Sequence, residues 1–112
     1  MKTFPICRDD GSMKAFEIRS AWITFHLLFK ILRAVEGVGD AKRNRKGDDR
    51  VVFRYRGEDF VVNEPWGDNS RYWIGPRDAA DSPLDVSQIQ EAFVRHQGVL
   101  SRAFAQLLNA MR

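Results

Sequence analysis

The stretch "AWITFHLLFKILRAVE", residues 21–36, limits the fold more than any other part of the chain. Plotted at ~100° per residue, its polar positions His26, Lys30 and Arg33 crowd into one narrow sector, with Glu36 beyond its edge. Trp22, Ile23, Phe25, Leu27, Leu28, Phe29, Ile31, Leu32 and Val35 cover most of the remainder. A surface helix usually needs an apolar stripe only a little wider than ~100°. This helix must therefore be covered on more than one side, by the rest of the chain or by another chain. It is predicted over Ser20–Glu36, with Ser20 as N-cap and Gly37 and Gly39 ending it.

The flanking sequence reads as strands that supply the cover. "VVFRYR" alternates Val51, Phe53 and Tyr55 against Val52, Arg54 and Arg56. Gly57-Glu58 suits a two-residue turn with glycine first. "DFVV" follows, then a longer turn over residues 63–69. "SRYWI" is the third strand of an antiparallel meander, ended by Gly75-Pro76. Upstream, "TFPIC" and "MKAFEI" flank the turn-forming "RDDGS" as a hairpin, with Phe4 and Ile6 on one face of the first strand and Phe16 and Ile18 on one face of the second. Pro5 lacks a backbone donor, so the first strand belongs at a sheet edge.

The last helical pattern covers residues 85–111. Val86, Ile89, Phe93, Leu100, Phe104, Leu107 and Met111 form an apolar seam that also takes in His96. Ser82-Pro83 or Asp85 opens it, with Gln88 placed to complete a capping box with Asp85. The pattern fits one helix of about 39 Å at 1.5 Å per residue, or two helices joined near Gly98. The predicted order is ββ-α-βββ-α, an α+β two-layer domain with an antiparallel sheet, a central apolar helix and a long C-terminal helix. The portion α-βββ-α has the element order of the double-stranded RNA-binding domain. The last helix lacks that family's phosphate-gripping lysines, since "DSPLDVSQIQEA" is acidic and contains none.

A chain of 112 residues fits a single domain over 1–112 and can bury a core without disulfides or a structural metal. Cys7 is the one cysteine and there are two histidines, too few for a Cys/His zinc site. A lone cysteine suits a reducing compartment. The start "MKTFPICRDDG" has no signal-peptide apolar core, and "AWITFHLLFKIL" is too short to span a bilayer. A soluble, cytoplasmic protein without cofactor or metal is expected.

Charge is concentrated in "GDAKRNRKGDDRVVFRYR", residues 39–56. Residues 42–56 hold seven basic and two acidic residues, although the whole chain carries only +3. Residues 38–50 are predicted as a flexible basic loop. Lys42, Arg43, Arg45, Lys46, Arg54 and Arg56 are candidate contacts for nucleic acid or another anion. Arg71 and Trp73 would join them if the strands present them on one face, where an indole could stack a base. The alternative is a solvated loop whose arginine stems cover apolar neighbours. "EPWGDNSRYWIGP" offers a ligand loop built on Trp66 and Asp68, or simply a turn.

Catalytic signals are weak. His26 and His96 have no nucleophile motif beside them, and Cys7 with a distant histidine is not a pair by sequence. The acidic pairs Asp9-Asp10, Asp48-Asp49 and Glu58-Asp59 fall in turns without metal-ligand spacing. A non-catalytic binding or interaction module is expected. Its excess apolar helix surface, including Phe104, Leu107 and Met111, points to self-association or a protein partner, or else to the two helices burying one another. Nucleic-acid binding through the basic stretch is the alternative function.

Overall fold

The structure is a computed structural model that describes residues 1–65, 70–96, 107, 109 and 110, with the backbone alone for Trp22. Among the described residues it is α+β: a six-stranded antiparallel sheet with two α-helices, Phe25–Ala34 and Ser87–Arg95. The strands are β1 (Phe4–Cys7), β2 (Met13–Arg19), β3 (Val38–Arg43), β4 (Asp49–Tyr55), β5 (Glu58–Asn63) and β6 (Arg71–Pro76). Their order across the sheet is β1-β2-β6-β5-β4-β3. The expected meander is its middle, β4-β5-β6. The N-terminal hairpin joins it by pairing β2 with β6, Phe16 opposite Ile74 and Ile18 opposite Tyr72. Pro5 lies in the edge strand β1, where its missing donor disrupts no inner ladder.

The central helix is shorter than expected. β2 keeps its pairing with β6 through Arg19, and the Ser20 N–H bonds the Ser70 carbonyl at 3.2 Å. Ser20–Trp22 make only one tight 3-10 turn. Helix α1 (Phe25–Ala34) starts at Thr24, whose hydroxyl accepts from the Leu27 N–H at 3.2 Å. Thr24 thus takes the capping role expected of Ser20, because the strand holds Ser20 too far upstream. α1 buries Leu27, Leu28, Ile31 and Leu32. These pack with Phe16, Ile18, Val51, Phe53, Tyr55, Phe60, Val62 and Ile74, the core side of the sheet.

The segment predicted as a loop over 38–50 is mostly strand. Residues 38–43 form β3 on the free edge of β4, and only 44–48 connect them. β4 offers β3 a row of unsatisfied backbone groups, and pairing overrides the poor strand propensity of "VGDAKR". The β4–β5 turn is also displaced by one residue. Arg56 and Gly57 have φ of 50° and 84°, the type I′ geometry, so the turn is Arg56-Gly57 rather than Gly57-Glu58.

Helix α2 (Ser87–Arg95) packs on the same side as α1, with Phe93 5.5 Å from Phe16, ring centre to ring centre. The Asp85 carboxylate accepts from the Ser87 N–H at 2.7 Å. Gln88 does not complete a capping box. Its carbonyl oxygen accepts from the Tyr55 hydroxyl at 3.0 Å and from Arg56 at 2.6 Å. His96 is extended and partly exposed, so the described helix ends before it instead of carrying it as a core residue. Phe104 and Met111 lie outside the described residues. Leu107 is helical and 57% exposed. No helix among the described residues is long and apolar enough to cross a membrane.

Candidate binding face

Both described helices cover one side of the sheet; the other side carries none among the described residues. Residues paired across antiparallel strands point to the same side, so the register lays out this open face. One row runs Phe4, Glu17, Trp73, Asn63 and Asp49, from β1 to β4. The next is apolar: Ile6, Ala15, Gly75, Val61 and Val52, ending in Lys42 on β3. A third holds Asp59, Arg54 and Gly39, while Arg19 pairs with Arg71 beyond the first row.

Most charges on this face are matched locally. Arg71 stacks its guanidinium 3.8 Å from the centre of the Phe4 ring and reaches Glu17 at 3.3 Å. Arg54 bonds Asp59 at 2.6 Å and also the Gly57 carbonyl. Asn63 donates to Asp49 at 2.7 Å. Trp73 lies across Gly75, and the Val61 side chain keeps only 4% exposure although no helix covers it. The face is thus aromatic and arginine-rich, with short-range charge pairing and little bare aliphatic surface.

The basic stretch is divided between the two sides. A β-bulge between Gly39 and Lys42, with Asp40 at φ 55°, sets the division. Lys42 pairs with Val52 and faces the open side; Arg43 pairs with Val51 and faces the helices, 3.8 Å over the Phe25 ring. Arg56 also turns to the helix side, over Tyr55 and onto Gln88. Arg50 binds the buried Glu64 at 2.6 Å, a hydrogen bond and charge that raise the already high pKa of its guanidinium. Arg45 and Lys46 are exposed in the 44–48 connection. Of the eight expected anion-binding residues, Lys42, Arg54, Arg71 and Trp73 share the open face. Trp66 and Asp68 lie outside the described residues.

No family model, no curated protein and no solved structure matches this chain. The chemistry of its own surfaces therefore carries the functional reading.

Two hollows bear on function. One, of 610 Å³, lies beside the β3 bulge on the open face and is lined by Lys42, Arg54 and Arg77 together with Asp40 and Asp59. Sequence reasoning missed Arg77, which sits in what reads as a connector. Its N–H bonds the Asp59 carbonyl at 2.9 Å, which continues the β5–β6 ladder and brings the residue onto the sheet. Phe4 was also missed as a surface group; only its pairing with Glu17 shows that it faces away from the helices. The second hollow, of 490 Å³, lies between α1 and α2, with Ile31, Ala34, Val35 and Ala92 as apolar walls and Lys30 and Arg95 at its margin. Cys7 is exposed at the end of β1, and His26 is exposed on α1 near Phe29 and Arg33. Among the described residues no three His, Cys, Asp or Glu side chains converge as a metal site.

Proposed function

We propose that this chain is a non-catalytic binding module of a reducing, cytoplasmic compartment, with the open face of the sheet as its recognition surface for a protein partner or a second copy. The observation that carries the reading is the row Phe4, Glu17, Trp73, with Arg71 stacked on Phe4 and ion-paired to Glu17. Aromatic residues and arginine are the types enriched where proteins meet. Charges already paired on one surface lose less on desolvation by a partner than isolated charges do. Photo-reactive groups at positions 52 and 63 on the open face should trap a partner; the same groups at positions 26 and 30 on α1 should trap little. Equal trapping from both sides, or none from the open face, would refute the proposal.

Nucleic acid is the second reading. Its support is that Lys42, Arg54, Arg71 and Trp73 share one face, so phosphates and an unpaired base could be held together. It is the weaker reading because Arg43, Arg50, Arg54 and Arg56 are engaged by Phe25, Glu64, Asp59 and Gln88. That leaves few cations ready to replace counterions along a polyanion.

A further inference from the structure

We infer that the hollow beside the β3 bulge binds a small organic phosphate. Three separate observations meet there. First, Lys42, Arg54 and Arg77 line one cavity of 610 Å³, and 300–1,000 Å³ is the ordinary range of small-molecule sites. Second, the cations differ in how they are held. Arg54 is fixed by Asp59 and the Gly57 carbonyl, whereas neither Lys42 nor Arg77 has an ion-pair partner among the described residues. Lys42 and Arg77 are therefore the acceptor-seeking pair, and the paired Arg54 borders them as a fixed guanidinium. Third, the backbone is distorted at this point. Asp40 has φ 55°, and the bulge it belongs to turns Lys42 onto the open face. Bulges concentrate beside functional sites, where they re-aim a side chain.

Charge selects the ligand class. Three cations against Asp40 and Asp59 leave a net of +1, so a single carboxylate gains little over water. A phosphomonoester carries about −1.5 to −2 at pH 7 and offers three strong acceptor oxygens. It can take a bidentate bond from a guanidinium and a point contact from the lysine. The half-buried Ala41 and Val52 supply apolar surface for the rest of the molecule, since phosphate alone would not fill the space.

The inference rests on the open face being the recognition surface, but its test needs no macromolecular partner, so the two readings fail separately. Adenosine 5′-monophosphate, inorganic phosphate and adenosine would each be titrated into the isotope-labelled full chain and followed by amide chemical shifts. The expected result is saturable binding of the monophosphate, weaker binding of phosphate and none of adenosine, with shifts centred on Lys42, Val52, Arg54, Asp59 and Arg77. The double substitution Lys42→Gln, Arg77→Gln should weaken the monophosphate roughly tenfold or more, the loss expected when charge-assisted bonds are removed. Its unfolding midpoint serves as the fold control, and should it fail to fold, the wild-type shift map decides alone. Shifts scattered over both sides of the sheet, no saturation, equal binding of adenosine, or an unchanged affinity in a folded double variant would each overturn the site.

Discussion

Trp73 lies against Gly75 so closely that a methyl group on Gly75 would stand 2.8 Å from the indole Cη2 and 2.8 Å from the Ala15 Cβ. Gly75 is therefore the seat of the largest side chain described on the open face, and Ala15 is its wall. Gly75→Ala should destabilise the protein by about 1–3 kcal/mol, the usual cost of overpacking, and should unseat the indole. Urea unfolding and tryptophan fluorescence would read both effects. Gly39→Ala is the control: its methyl meets nothing within 4 Å, and its cost should stay below about 0.5 kcal/mol.

Leu28 is fully buried on α1, among the side chains of the sheet's core side. Leu28→Ala should cost about 2–5 kcal/mol in chemical unfolding. His26→Ala, two residues earlier and on the exposed side, should change stability by under about 0.5 kcal/mol. Comparable losses at both positions would contradict the orientation of the helix.

The wide apolar arc of this helix, the alternation at Val51, Phe53 and Tyr55, and the edge role of Pro5 were all legible in the sequence, because each follows from a repeating pattern or a missing donor. The strand Val38–Arg43 was not. "VGDAKR" has no apolar alternation, and only the free edge of β4 makes it a strand. Nor was the placement of the basic residues legible. Strict alternation from Val38 would send Lys42 toward the helices and Arg43 away, and the bulge at Asp40 reverses both. The start of α1 was misplaced because Ser20 and Thr24 are both competent caps, and the pairing of β2 with β6 chooses between them.

Burial decides between the ion pairs. Glu64 is 4% exposed and its partner Arg50 38%, whereas Arg54 and Asp59 are 45% and 55% exposed. Arg50→Ala takes the charge partner from a buried carboxylate and should cost about 1–3 kcal/mol, toward the lower end because the arginine is partly solvated. Arg54→Ala should cost less than about 1 kcal/mol. Thermal unfolding of the two variants side by side would check the ranking.

Asp85 and Tyr72 are among the groups that should shape the pH dependence of stability. Hydrogen bonds from the Ser87 hydroxyl and N–H hold the Asp85 carboxyl below its ordinary pKa. Its contribution is therefore present above the unfolded carboxyl pKa of about 3.9 and is lost as pH falls through the lower folded value. Burial pushes the Tyr72 hydroxyl above its ordinary value, with the Glu64 charge adding to the rise. The unfolded chain then releases that proton first, so Tyr72 contributes fully below pH ~10 and loses its contribution as pH rises through the folded value. Asp85→Asn should flatten the acid limb of a stability profile and Tyr72→Phe the alkaline limb. An unchanged alkaline limb in Tyr72→Phe would show that this hydroxyl is not the group that titrates.

The divided basic stretch makes a quantitative prediction for nucleic acid. If all seven cations of residues 42–56 met phosphates on duplex DNA, log affinity would fall with log salt at a slope near −6, at about −0.9 per phosphate neutralised. Arg43, Arg50, Arg54 and Arg56 are held by Phe25, Glu64, Asp59 and Gln88, which leaves Lys42, Arg45 and Lys46. The stretch then supplies a slope no steeper than about −2.7, and correspondingly weak binding should vanish near physiological salt. Replacing Lys42, Arg45 and Lys46 with alanine should remove that stretch's share of the salt dependence, while unfolding stays unchanged because these side chains are exposed. Trp73→Ala should weaken single strands more than duplex, since stacking needs an unpaired base. A measured slope near −6 would mean that the internal partners release their arginines to a polyanion, and the open face would then be read as a nucleic-acid surface rather than a protein-binding one.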